Sequence, residues 1–272
     1  MEHLSTAWPE ISRRIREARH ILLLSDYDGT LTPIVERPEL AELSPQTKRM
    51  LWVLTRRHRY TVGLISGRAL SDLKERVGLK GVVYAGNHGL EIEGPGIAFV
   101  SPVAEEFKPV LHLLHQVLSK TLGAVKGVLV EDKGLTLSVH YRLVDEGRSE
   151  EVRHVFEHIT GPAQTMGKLR TTSGKKVYEV RPAVAWNKGK AIEVLIKKHR
   201  RRGRNHGLLT IFMGDDLTDE DGFKVVENHR GLSIFVGEDN PQSAAGYYVR
   251  SPAEVDRFIQ QLIDLEKVGR SE

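Results

Sequence analysis

The chain has 272 residues, 40% hydrophobic and 28% charged, which allows a packed core and excludes a disordered chain. It has no cysteine, so disulfides, thiolate metal sites and a cysteine nucleophile are excluded and any metal must sit on oxygen or imidazole. The formal net charge of +4 suits an anionic small molecule without demanding nucleic acid. In chain order, the apolar run Ile21 to Ser25 predicts a buried strand ending at Asp26, far too short for a membrane span or a signal-peptide core; a soluble, cytoplasmic protein with no membrane partner is expected. Ser44 as N-cap and Pro45 in the first turn open a helix carrying Met50, Leu51 and Leu54. Tyr60 to Ile65 predicts a second strand, Ala69 to Val77 a helix and Gly81 to Ala85 a third strand, an alternation that implies parallel pairing.

After Gly86 the pattern changes. Leu90 to Glu93 alternates, Gly94-Pro95-Gly96 turns, and Val103 to Leu122 reads as a helix. Val128 to Glu131 and Leu135 to Tyr141 read as an antiparallel hairpin, Glu150 to Ile159 as a helix, and a second hairpin turns at Ser173-Gly174. From Lys188 the parallel rhythm resumes, with a helix to His199, a strand from Leu208 to Met213, an acidic loop and helix, a strand from Leu232 to Val236 and a last helix from Ala253. The basic run Lys197 to Arg204 ends a helical pattern, where cations suit the dipole, so nucleic acid is not an expected partner. The expected fold class is α/β, a doubly wound and mostly parallel sheet over residues 1–93 and 184–272 interrupted by an α+β insert over 94–183.

Ligands of open parallel sheets bind where strands run into loops at their carboxyl ends, and three such loops carry chemistry. The first strand delivers Asp26-Tyr27-Asp28-Gly29-Thr30-Leu31, whose two carboxylates, two residues apart, project toward one pocket if the extended geometry persists. Such repelling charges suit a hard divalent cation such as Mg²⁺, although the same residues also make an ordinary turn. Ser66-Gly67-Arg68 precedes a helix and offers a hydroxyl, backbone N–H groups and a helix dipole to an anion. Asn187 as an N-cap puts Lys188 in a first helical turn, where the dipole disfavours cations; a bound phosphoryl group or simple exposure would each explain it. In Gly214-Asp215-Asp216-Leu217-Thr218-Asp219-Glu220-Asp221, Thr218 as N-cap would make Asp219 to Asp221 ordinary first-turn acids, whereas Asp215 and Asp216 fit a metal shared with Asp26.

Taken in order, these four segments resemble the four motifs of the haloacid dehalogenase superfamily of phosphatases, with the insert where that superfamily places its larger type of cap. The resemblance implies that Asp26 is a nucleophile forming an aspartyl-phosphate, and that Asp28 protonates the leaving alcohol and then activates water. It also implies Mg²⁺ held by Asp26, the Asp28 backbone carbonyl and Asp215, with Asp219 or Asp216 in support, and catalytic roles for Ser66 and Lys188 beside Gly67 and Arg68 at the substrate.

Through Ala85 to Glu91, Glu131 to Gly134, His140 to Arg142 and Tyr178 to Pro182, the whole chain is similar to the trehalose-6-phosphate phosphatases. This implies a sugar phosphate substrate, distal-sugar contacts from Lys133, Arg142 and Glu179, and substrate contacts from Asn87 and His88. It also suggests a functional link to a trehalose-phosphate synthase. The segment before the first strand is short, without an appended synthase-like domain, which fits a stand-alone enzyme. Other readings are the same chemistry on another sugar phosphate (glucosylglycerol, mannosylglycerate, sucrose or mannose), a phosphomutase, and a catalytically silent regulatory domain.

Overall fold

The computed structural model describes residues 1–174, 176–201 and 207–268. In chain order the elements are β1 (Glu2–His3), α1 (Trp8–Glu17), β2 (His20–Ser25), α2 (Pro45–Thr55), β3 (Tyr60–Ile65), α3 (Leu70–Val77), β4 (Val83–Gly86), β5 (Glu91–Gly94) and β6 (Ile97–Val100). There follow α4 (Pro102–Glu105), α5 (Lys108–Leu122), β7 (Leu129–Asp132), β8 (Leu137–His140), α6 (Ser149–Thr165), β9 (Leu169–Gly174) and β10 (Val177–Pro182). The chain closes with α7 (Lys188–Arg201), β11 (Leu208–Gly214), α8 (Glu220–Asn228), β12 (Leu232–Val236), β13 (Tyr247–Val249) and α9 (Pro252–Val268). It divides into two compact units, Met1–Phe99 with Trp186–Glu272, and Val100–Ala185.

Among the described residues the first unit is built on a nine-stranded sheet in the order β1-β13-β12-β11-β2-β3-β4-β5-β6. Every pairing from β1 to β4 is parallel, and β5 joins β4 antiparallel. The continuous apolar run of β2 follows from burial on both faces. Ile21 and Leu23 pack with Ile11, Leu51 and Phe258 on one side, and Leu22 and Leu24 with Ile192, Leu195 and Phe223 on the other. The first unit runs on to Phe99 because the alternation of 90–93 is a half-buried strand: Ile92 joins the Leu22 and Leu24 cluster and its partner on β4, Ala85, is buried too. In the second unit β7-β8-β10-β9 form an antiparallel sheet. One face, with Val139 and Val180, packs on Leu111 and Leu118 of α5 and Phe156 of α6. Period-two alternation sends Glu131, Ser138 and Glu179, paired in one row across β7, β8 and β10, to the other face.

Two of the expected helices differ in their bounds. The Val103 to Leu122 stretch is two helices separated at Glu106 and Phe107, and α6 runs past Gly161-Pro162 to Thr165. The last three residues of the basic run, 202–204, lie outside the described residues. No helix among the described residues is long and apolar enough to cross a membrane.

Candidate active site

The carboxyl ends of β2 and β11 bring the motifs together. Asp26 follows β2 and donates its backbone N–H to the Met213 carbonyl at 2.8 Å, tying the two strand ends side by side. Lys188, in the first turn of α7, is 3% exposed. Its Nζ donates to Asp26 Oδ1 and to Asp219 Oδ1, each at 2.7 Å. The negative partners that a first-turn lysine requires are therefore present within the protein. Burial pulls the Lys188 ammonium down, but Asp219 and Asp26 outweigh it and hold it above its ordinary value. Burial pushes Asp26 up to about 7 against the opposing charge of Lys188, and it pushes Asp219 up as well.

Asp215 completes the group: Asp26, Asp215 and Asp219 offer oxygens that lie within 4.8 Å of one another. Two glycines make the room. A Cβ on Gly29, where φ is +88°, would sit 2.2 Å from Asp215 Oδ2, and one on Gly214 would sit 2.3 Å from the Asp219 carboxyl carbon. Three converging carboxylates beside one ammonium, with no imidazole or sulfur, form a hard-oxygen donor set that fits a divalent cation. Asp216 does not join them. It is exposed and caps the turn that leads into α8, accepting from the Leu217 N–H at 2.6 Å, while its own N–H donates to Asp219 Oδ2 at 3.1 Å. Asp216, not Thr218, is thus the N-cap here, because its short side chain reaches forward onto the single turn 217–219 while Asp219 reaches back to it in a reciprocal box.

The extended geometry expected of Asp26 and Asp28 ends at Tyr27. Leu31 and Thr32 return their N–H groups to the Tyr27 carbonyl at 3.0 and 3.1 Å, closing a turn that carries Asp28, whose charge still reaches Asp26 and adds to the upward push of burial there. Both Asp28 oxygens accept from Arg68, at 2.8 and 2.6 Å. Arg68, expected at the substrate, also donates to Asp72 and to the Pro38 carbonyl. Ser66 is buried, and its Oγ accepts from the Arg68 N–H at 3.2 Å. Asn87 and His88 donate backbone N–H groups to the Arg68 and Ser66 carbonyls at 2.7 and 2.8 Å, which stitches the 87–88 turn to the 66–68 loop. This turn puts non-glycine residues at φ +50° and +57°, a conformation costing about 1–3 kcal/mol each. It lays the His88 ring against Gly67, where a Cβ would be 2.7 Å away.

In the second unit Lys133 and Glu179 share one cluster. Although Lys133 follows directly on the end of β7, its side chain is only 10% exposed, with Nζ 3.9 Å from Glu131 and 4.0 Å from Glu179. Arg181 Nε donates to Glu179 at 2.7 Å and His140 Nε2 lies 2.8 Å from Glu131. Arg142 lies just past β8 and is half-buried. Asp72, Glu131, His140 and Arg181 were not singled out by sequence reasoning; the four-residue step from Arg68 to Asp72 was the available signal for the first.

The trehalose-phosphatase family model matches residues 24–253. A probable trehalose-phosphate phosphatase D of Arabidopsis thaliana is 34% identical over 276 residues, covering 97% of this chain and 72% of the relative. The C-terminal domain of a C. albicans trehalose-6-phosphate phosphatase superposes with a TM-score of 0.77 at 23% identity, covering 93% of this chain and 95% of that one. A haloacid dehalogenase-like hydrolase from Bacteroides thetaiotaomicron gives a TM-score of 0.61 at 18% identity, over 89% and 99% of the two chains. The fold is that of the haloacid dehalogenase-like hydrolases.

Proposed function

The chain belongs to the trehalose-phosphatase family, and from that membership we propose that it hydrolyses trehalose 6-phosphate to trehalose and phosphate with Mg²⁺ as cofactor. The observation that carries the reading is the buried Lys188 between Asp26 and Asp219, with Asp215 alongside. Asp26 is the nucleophile: its oxygen forms a bond to phosphorus as the bond from phosphorus to the sugar oxygen breaks. The departing electron pair stays on the sugar oxygen, which takes a proton from Asp28. Water then attacks the aspartyl-phosphate, giving its proton back to Asp28 and releasing Asp26. Lys188 keeps the attacking carboxylate compensated in a water-poor site, and Ser66, Gly67, Asn87 and His88 contact the phosphoryl oxygens. Asp26, Asp215, Asp219 and the Asp28 backbone carbonyl would hold the ion, which when bound adds positive charge against the repulsion between carboxylate and phosphate.

In the second unit, an inserted cap of the larger type, we assign Lys133, Arg142 and Glu179 to hydroxyls of the disaccharide; a cluster of paired charges on one sheet face suits a ligand of many donors and acceptors. A disaccharide phosphate arises by glycosyl transfer onto a hexose phosphate, so a synthase of that class is the expected functional neighbour. Its charge holds such a substrate in the compartment where it forms, and we place the enzyme in the cytoplasm.

The test is phosphate release from trehalose 6-phosphate beside glucose 6-phosphate, sucrose 6-phosphate and glucosylglycerol phosphate, with Mg²⁺ and with EDTA. Strong, EDTA-sensitive preference for the trehalose ester is expected. Preference for another ester would keep the mechanism and discard the substrate, and release from none would make the chain a silent regulatory domain.

A further inference from the structure

Arg68 is 7% exposed, a costly place for a guanidinium unless its N–H groups are matched. Four hydrogen bonds match them within the protein. Nε donates to Asp28 Oδ2 at 2.8 Å and Nη2 to Asp28 Oδ1 at 2.6 Å, a parallel pair that grips both oxygens. Nη2 also donates to the Pro38 carbonyl and Nη1 to Asp72 Oδ2, both at 2.8 Å, and the guanidinium lies over the Tyr27 ring at 5.4 Å. Asp72 is held in turn by Arg76 Nε at 2.8 and 3.0 Å, and Arg76 Nη1 donates to the Glu39 carbonyl at 2.9 Å. A surface ion pair fixes little. Here the cation is buried while the Asp28 side chain it grips is 40% exposed, so a rigid fork with four of its five N–H groups engaged orients an accessible acid.

We infer that Arg68, itself held by Asp72, is a positioning residue that fixes the place and plane of the Asp28 carboxyl for transfer to the sugar oxygen, and does not contact the sugar phosphate. The inference rests on the proposed role of Asp28 as proton donor. Its consequence depends on the leaving group: a sugar alkoxide needs the proton as the bond to phosphorus breaks, whereas p-nitrophenolate leaves without it.

The experiment is a double-mutant cycle of wild type, R68K, D28N and R68K/D28N. Each is assayed for kcat/KM on trehalose 6-phosphate, glucose 6-phosphate and p-nitrophenyl phosphate, with thermal midpoints as the check on folding. A lysine keeps the charge and loses the fork. R68K is expected to lower kcat/KM on the alkyl esters about 100-fold and on the aryl ester about threefold or less. The double variant is expected to match D28N within about twofold, since nothing then remains to be positioned. Equal losses on alkyl and aryl esters, or multiplying losses in the double variant, overturn the assignment. Should R68K fail to fold, D72N, which keeps the guanidinium and the local volume, enters the same cycle under the same criteria. Failure of the substrate reading shows separately, as wild-type turnover of glucose 6-phosphate without trehalose 6-phosphate, and the cycle is then read on the former. No turnover of any ester by the wild type removes both.

Discussion

Lys188 carries the electrostatics of the site at the scale of one residue. Without it Asp26 and Asp219 would be two buried acids with no cation, and removing one partner of a buried pair costs about 3–5 kcal/mol. K188M is therefore expected to be inactive and to lose stability in EDTA at neutral pH. The folded-state pKa values of both acids already stand above their unfolded values and rise further in the variant, so the loss should shrink as pH falls below about 7. Denaturant titrations at several pH values check this; a loss that is the same at all pH would remove Lys188 as the compensating charge. Asp72 has the opposite sign. Burial acts upward on its carboxyl, but hydrogen bonds from Arg76 and Arg68 hold it below its usual 3.8. Its stabilising contribution is present above 3.8 and is lost as pH falls through the depressed folded value, so D72N should flatten the acid limb of the thermal midpoint against pH. Of these residues Asp26, Lys188 and Asp215 were legible from strand ends and motif order. The pairing of Arg68 with Asp28 was not, because it joins residues 40 apart in the sequence.

Elements were legible where a cap and a period agreed. Ser44 accepts from the Thr47 N–H at 3.0 Å at the start of α2, as the Ser-Pro opening predicts. The strand Tyr60 to Ile65 has the bounds its apolar run gives. The same reasoning misplaced the cap before α8, since Thr218 and Asp216 are both good caps and only the short turn 217–219 selects Asp216. Helix α1 went unread because its buried face is narrow: Ile11, Ser12 and Ile15 lie among exposed arginines and glutamates. A cap far from the chemistry separates stability from activity. S44A should cost about 1 kcal/mol, a fall of about 2–4 °C in the thermal midpoint, with kcat/KM unchanged. An activity loss larger than the stability loss would show that α2 does more than support the sheet.

For the whole molecule, the change from parallel to antiparallel rhythm after Gly86 revealed an insert, while its edge was blurred by β5 and β6, which look antiparallel in sequence yet extend the first unit's sheet. The chemistry of the second unit was less legible. Lys133, at the edge of a hairpin turn, reads as an ordinary exposed lysine, and only the pairing of β7, β8 and β10 brings it within 4.0 Å of Glu179. If the first unit carries the chemistry and the second the choice of sugar, variants must divide accordingly. A side chain that touches only the distal sugar lends binding energy to the transition state of the disaccharide ester and none to a small aryl ester. E179A is therefore expected to lower kcat/KM for trehalose 6-phosphate by about 10- to 100-fold, the range of a lost charged hydrogen bond of about 1.5–3 kcal/mol. p-Nitrophenyl phosphate should change by about twofold or less if the loss comes from binding alone. Because Glu179 also neutralises Arg181 and Lys133, E179Q, which keeps the shape and an acceptor, is the control for collapse of the cluster. Equal losses on both esters in both variants would take Glu179 out of sugar recognition and make the cluster a support of the second unit's own fold.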